Sequence, residues 1–170
     1  MRIAAAEAVA ERLLRLPALQ NANTVAGYWA IGGELPLHVL MTRLSVHARY
    51  CLPMLQSDRM LRFAPWRVGD AITTNRYGIP EPMASTELLS PDALDVVLLP
   101  LLGYTRSGDR IGTGGGWYDR SFSFRRSAPT PPLLVGVGFA CQQTDAYVPQ
   151  EWDVPMDAVV TERELLLCPR

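Results

Sequence analysis

Two apolar, β-branched runs constrain this chain most: residues 95–100 (DVVLLP) and 133–139 (LLVGVGF). Neither alternates in polarity, so neither suits a sheet with one wet face; both read as strands buried on two sides, the habit of parallel sheets. The segments around them fit the same plan. Residues 3–16 read as a helix rich in Ala and Leu, with Ile3, Val9, Leu13 and Leu14 near one face. Residues 24–31 (TVAGYWAI) predict a strand turned by Gly32 and Gly33. Residues 35–46 predict a second helix with Leu37, Leu40, Met41 and Leu44 inward, and residues 48–53 and 60–66 predict two further strands. Residues 67–91 are broken by Gly69, Gly78, Pro80, Pro82 and Pro91 and read as a loop. Residues 158–161 predict a short last strand, and 162–167 a closing turn of helix. Helices alternating with strands predict an α/β fold with a mostly parallel central sheet covered on both faces. At 170 residues the chain is expected to form a single domain.

The charge balance excludes several partners. Sixteen basic and seventeen acidic residues leave a formal charge of −1, so nothing draws the chain to nucleic acid or to an anionic membrane. Every basic residue is arginine. The lysine of a P-loop and any lysine base or Schiff base are therefore absent. Cys51, Cys141 and Cys168 stand far apart without a CxxC, which predicts neither a disulfide framework nor a zinc site and fits a reducing, cytoplasmic setting. The opening MRIAAAEAVAERLLRL is interrupted by Glu7, Glu11, Arg12 and Arg15 and does not read as a signal peptide.

Between the two apolar runs lies RIGTGGGWYDR, residues 110–120, with Gly112, Gly114, Gly115 and Gly116 in five positions. Ordering so many glycines costs backbone entropy. It is explained where main-chain N–H groups must approach a phosphate at the start of a helix, here predicted over 117–126. Arg110 pairs either with that phosphate or with a surface carboxylate. Trp117 and Tyr118 beside the glycines suit a planar ligand; Trp29 reads as core. Asp119 is open to two readings, a metal ligand or a first-turn acid favoured by the helix dipole. Asp153 reads as a metal ligand or, with its neighbour Asp157, as a loop or capping residue, and Glu34 as a substrate contact or a solvated helix acid. His38 and His47 face different ways and have no ligand-spaced partner. In a parallel sheet the loops bearing Glu34, the glycines, Gln142 and Asp145 follow strand C-termini and converge on one rim.

RIGTGGGWYDR resembles the signature of the 5-formyltetrahydrofolate cyclo-ligase family, also called methenyltetrahydrofolate synthetases. YGIPEP (77–82), the Tyr28-to-Glu34 spacing and EWDVPMDAVVTE (151–162) resemble further blocks of the same family in the same order. The resemblance implies a three-layer α/β/α sandwich. It implies a magnesium-requiring ligase of one-carbon metabolism that converts 5-formyltetrahydrofolate and ATP into 5,10-methenyltetrahydrofolate, ADP and phosphate, with no protein nucleophile. Carried onto this sequence, ATP is expected on Arg110, Ile111, Gly112, Thr113, Gly114, Gly115, Gly116, Trp117 and Tyr118. Folate is expected on Trp29 and Glu34 and on Thr113, Gly114, Gly115, Gly116 and Trp117, and Mg²⁺ on Asp119 and Asp153. The partners are small molecules and the expected state is a monomer. Trp117 stands where the family has Tyr, Trp152 where it has His, and Leu101 where it has Gly. The first helix here resembles the family's second, so the family's ATP-binding Lys-x-x-x-Arg helix is expected to be absent. Other readings are a nucleotide- or folate-binding member with weak or no catalysis, and an unrelated α/β phosphosugar or acyl-transfer enzyme.

Overall fold

A computed structural model of the chain describes residues 2–44, 46–83 and 87–169. In chain order the strands are β1 (Thr24–Ala26), β2 (Arg49–Leu55), β3 (Leu61–Pro65), β4 (Ile72–Thr74), β5 (Pro80–Pro82), β6 (Val96–Pro100), β7 (Gly103–Tyr104), β8 (Arg110–Ile111), β9 (Leu133–Val137), β10 (Ala158–Val160) and β11 (Leu165–Leu167). The helices are α1 (Arg2–Leu14), α2 (Pro17–Gln20), α3 (His38–Arg43) and α4 (Trp117–Ser121). Seven strands form one sheet in the order β11-β10-β9-β6-β1-β2-β3. Its inner neighbours are parallel, and only the two edge pairs, β2 with β3 and β10 with β11, are antiparallel.

The apolar runs occupy the middle of this sheet because both their faces are covered. Val96 and Leu98 join Val25, Val135, Val137, Ala158 and Val160 on one face, packed against Ala5, Ala6, Val9, Ala10 and Leu13 of α1. Val97 and Leu99 point the other way, with Leu134 and Val159, onto Tyr104, Phe122, Val154 and Met156. The period-two alternation of a strand thus splits one run of valines and leucines between two cores. The result is the expected three-layer α/β/α arrangement.

Several expectations are corrected. The first strand stops at Ala26: β1 is paired with β6 only through Val25 and Ala26, after which β6 continues beside β9 and the chain leaving β1 turns out of the sheet. The second helix covers only His38–Arg43; Leu35 and Leu37 are buried without being helical, and Ser45 lies outside the described residues. The stretch 67–91 contains the β4–β5 hairpin, with residues 84–86 outside the described set. The helix expected over 117–126 is a five-residue α-helix followed by a separate 3₁₀ turn, Ser123–Arg126. The closing helical turn is instead β11, whose three leucines pair antiparallel with β10. The β7–β8 hairpin was not anticipated.

Asp157 has a structural role. Arg125 is 1% exposed. Its Nη2 donates to both carboxylate oxygens of Asp157, at 3.1 and 3.0 Å, and its other nitrogens donate to the carbonyls of Pro132 and Ala128. Asp157 also accepts the Leu134 amide at 2.8 Å, so one buried pair joins the starts of β9 and β10. Removing one partner strands a buried charge. Asp157→Ala is therefore expected to lower stability by about 3–5 kcal/mol in a denaturant titration; a loss below about 1 kcal/mol, the scale of an exposed pair, would contradict the role.

Candidate active site

β1 lies between β2 and β6 and is parallel to both. The chain goes from β1 to one neighbour and later returns to the other, so the connections leaving the strand C-termini separate and open a crevice, where open α/β sheets bind ligands. A cavity of about 680 Å³ occupies it, a size suited to small-molecule substrates. The segment after β1 supplies Tyr28, Trp29 and Glu34, and the segment after β6 supplies Leu101, Arg110 and the glycines.

The glycine loop is delivered by the β7–β8 hairpin, in which the Leu102 amide bonds the Ile111 carbonyl at 2.8 Å. Ile111, Gly112, Thr113, Gly114, Gly115 and Gly116 all line the cavity. Gly114 and Gly116 have φ of 91° and 67°, a left-handed region that side-chain-bearing residues rarely adopt. Among the described residues none of the amides of 112–116 donates to another protein group. Five unspent donors on one loop make an anion cradle. The helix that follows is too short to add a meaningful dipole, so the cradle rests on the amides themselves.

Beneath the loop, Arg110 is almost buried, its side chain 10% exposed. Its Nη1 donates to the Pro100 carbonyl at 3.0 Å, its Nη2 lies 3.8 Å from Asp119 Oδ2, and the guanidinium sits 5.1 Å from the Tyr118 ring centre. Arg110 is thus neither a free surface cation nor a rim ion pair. Asp119 Oδ1 accepts the Val154 amide at 2.9 Å. Trp117 and Tyr118 also line the cavity. Burial raises the Tyr118 phenol, the Arg110 charge opposing it, so the ring serves as a neutral donor. Ser121 accepts the Leu61 amide and donates to the Trp117 carbonyl, tying α4 to β3.

On the β1 side, the Tyr28 hydroxyl donates to the Leu35 carbonyl at 2.6 Å and Glu34 Oε2 accepts the Ile31 amide at 2.9 Å, which closes the loop on itself. Arg2 clamps it from outside through the carbonyls of Gly32 and Glu34. Glu34 is therefore not a solvated helix acid. Desolvation raises its carboxyl above the usual range, against the opposing Ile31 amide and Arg110 charge. Trp29 is partly buried, edge-on to Trp66 at 5.7 Å, and lines the cavity as well, so it is core and wall at once.

Asp153 completes the far wall. Its Oδ2 accepts both the Tyr147 hydroxyl, at 2.5 Å, and the Gln150 amide, at 2.9 Å. That hydrogen bond is the main reason the Tyr147 phenol is pushed up to about 12. Asp119 and Asp153 both face the cavity, yet the described residues contain no cluster of three or more metal-ligating side chains. His38 and His47 lie outside the lining, as do Asp145 and Gln142. Gln142 spends its side chain on the carbonyls of Leu101 and Leu102 and on the Phe139 amide.

Tyr147, Gln150 and Trp152 line the cavity without a site role having been expected, as do Asn75, Tyr77 and Glu81 of the β4–β5 hairpin. The resemblance of YGIPEP to a family block was the available signal for the hairpin.

Comparison with known proteins is consistent with this geometry. A family model described as the 5-formyltetrahydrofolate cyclo-ligase family matches residues 1–162. The chain is 34% identical to the 5-formyltetrahydrofolate cyclo-ligase of Escherichia coli K12 over 156 residues, covering 89% of this chain and 85% of that protein. It is 29% identical to the Haemophilus influenzae protein of the same name, covering 89% and 82%. The NMR structure of Aquifex aeolicus 5,10-methenyltetrahydrofolate synthetase superposes with a TM-score of 0.81 at 26% identity, covering 97% of this chain and 81% of that one. A Mycoplasma pneumoniae 5,10-methenyltetrahydrofolate synthetase shares the fold, with a TM-score of 0.72 at 22% identity, covering 95% and 87%.

Glu34 offers a test in the ligand-free protein. A carboxyl raised on folding binds its proton more tightly in the folded state. Its contribution is full below the unfolded value and is lost as pH rises towards the folded one. Glu34→Gln keeps an acceptor for the Ile31 amide but removes the titration. The melting temperature of the variant minus that of wild type is expected to grow as pH rises from about 4 to 7; a flat difference would contradict the buried carboxyl.

Proposed function

The chain belongs to the 5-formyltetrahydrofolate cyclo-ligase family, and we propose that the crevice between β1 and β6 is where it closes 5-formyltetrahydrofolate to 5,10-methenyltetrahydrofolate, with ATP converted to ADP and phosphate. The observation that carries this is the glycine loop. Five amides free to bind an anion stand between an aromatic wall with a half-buried carboxyl and a wall bearing two aspartates. Such a layout supports two substrates meeting across one loop, a flat polar ring on one side and a polyphosphate on the other.

In this reading Trp29 packs on the folate ring system and Glu34 accepts hydrogen bonds from its ring N–H groups. Thr113, Gly114, Gly115, Gly116 and Trp117 lie at the junction of the two substrates. Arg110, Ile111, Gly112 and Tyr118 extend the nucleotide side. The amides bind phosphate oxygens and Arg110 supplies fixed positive charge, which is worth most when it needs no reorganisation as charge develops. The γ-phosphoryl group passes to the formyl oxygen. The neighbouring amine then attacks the activated carbon, a C–N bond forms, and the C–O bond breaks as phosphate carries off the formyl oxygen. No side chain forms a covalent bond, in keeping with a loop that contains neither Ser, Cys nor Lys and with phosphoryl transfer as a matter of positioning and charge.

The residues present also fit Mg²⁺. That ion takes one or two carboxylates with phosphate oxygens and water. Asp119 and Asp153 each accept hydrogen bonds through one oxygen; the second oxygen of Asp153 accepts none among the described residues, and that of Asp119 faces Arg110 at 3.8 Å, beyond hydrogen-bond distance. Bound there, the ion would neutralise charge on the transferring phosphate. We further take the protein to work as a single domain and a monomer in the cytoplasm, where its three free cysteines would stay reduced. Among the described residues no helix is long and apolar enough to cross a membrane.

Incubation with 5-formyltetrahydrofolate, ATP and Mg²⁺ is expected to produce the methenyl chromophore. Absence of product at high protein concentration would overturn the reading. Asp119→Asn preserves an acceptor for Val154 but removes the charge. It is expected to lower kcat by about 10²-fold or more and to weaken the Mg²⁺ dependence, with an unchanged near-UV circular dichroism spectrum; unaltered turnover would refute the role of Asp119.

A further inference from the structure

The β4–β5 hairpin carries a cation that the reaction above does not use. Arg76 sits at its exposed tip, with the guanidinium carbon 5.0 Å from the Tyr77 ring centre and 5.8 Å from that of Trp117. Tyr77 and Trp117 meet edge-on at 6.5 Å, and both line the crevice. No carboxylate lies within ion-pair distance of Arg76 among the described residues. It lies over two aromatic rings, an arrangement a guanidinium favours, and among the described residues its N–H groups are given to no protein acceptor.

The tip itself is well anchored. Asn75 Oδ1 accepts the amides of Tyr77 and Ile79, at 2.9 and 3.1 Å. Glu81 Oε2 accepts the Asn75 side-chain amide and the Leu55 amide, at 3.2 and 3.0 Å, which joins the hairpin to the end of β2. Arg76 is therefore a positioned charge at the mouth of the crevice. Its hairpin is joined to the end of β2, the neighbour of β1, whereas Asp153 belongs to the connection between β9 and β10.

A reduced folate has its ring system at one end and glutamyl carboxylates at the other. With the ring held at Trp29 and Glu34, the carboxylates lie towards solvent. We propose that Arg76 is a specificity-determining residue that recognises a glutamyl carboxylate of the folate substrate where it leaves the crevice. The inference rests on the functional reading above. A planar guanidinium with an open edge matches a carboxylate through paired N–H···O bonds. The hairpin thereby selects glutamylated folates over the bare pteroyl ring system.

The test compares wild type, Arg76→Gln and Arg76→Lys on 5-formyltetrahydrofolate and on its tail-less analogue 5-formyltetrahydropteroate, read by methenyl absorbance. Wild type is expected to show a KM about tenfold lower for the glutamylated substrate, the scale of one hydrogen bond to a charged group. Arg76→Gln is expected to abolish that preference by raising only the glutamylated KM, and Arg76→Lys to recover most of it. Equal losses on both substrates would make Arg76 a latch between hairpin and loop, and a raised KM for ATP would make it a phosphate contact. Either result, or no change, overturns the proposal. A wild-type protein that makes no methenyl product from either substrate would instead overturn the functional reading, and this inference with it.

Discussion

One nearly buried charge pair, Arg110 with Asp119, holds the crevice together. Arg110 reaches from β8 to the last carbonyl of β6, and Asp119 reaches from α4 to the backbone just after Asp153. The pair therefore connects the central strand, both ends of the glycine loop and the wall that carries the second aspartate. An ion pair that is mostly out of water is a poor source of net stability, because desolvation offsets its attraction. What it supplies here is geometry. With Arg110 bonded to Pro100 and over Tyr118, and Asp119 bonded to Val154, both ends of the glycine stretch are anchored while its amides stay unspent. The fold leaves the loop unsatisfied, as the proposed phosphate site requires.

The sheet topology decides what can meet there. The strand order places the loop after β1 on one side of the glycines and the connection from β9 to β10 on the other. The first side is aromatic with a half-buried carboxyl, Glu34, raised by desolvation; the second is acidic, through Asp119 and Asp153. In the proposed arrangement the folate and the nucleotide approach one loop from different walls. Arg2, at the start of α1, contributes from outside by clamping the carbonyls of the Glu34 loop.

The parts that could be read from sequence are those whose physics is local. The runs at 96–100 and 133–139 carry no polar side chain, the pattern of strands buried on both faces, and the layered fold follows from them. The glycines and the acid behind them were visible because such a cluster has few structural explanations, and Asp119 and Asp153 do face the same cavity as Trp29 and Glu34. The misread segments depend on a distant partner. Leu165, Leu166 and Leu167 look helical in isolation and become a strand because β10 presents an open edge. Ile72, Thr73 and Thr74 are all exposed and show no alternation, so pairing with β5 leaves no periodic trace. Asp157 stands four residues after Asp153 and reads locally as a loop or capping acid. Only packing shows that Arg125, thirty-two residues earlier, claims it.

In the proposed arrangement the two substrates occupy opposite walls and share only the glycine loop. Backbone amide chemical-shift mapping by NMR, with each ligand added alone, tests it most directly. The account predicts that 5-formyltetrahydrofolate shifts the amides of Trp29, Glu34 and Tyr77, that ATP with Mg²⁺ shifts those of Gly112, Asp119 and Asp153, and that both shift residues 113–117. Shifts from both ligands confined to the same wall, or an ATP response that leaves the glycine amides unmoved, would contradict it.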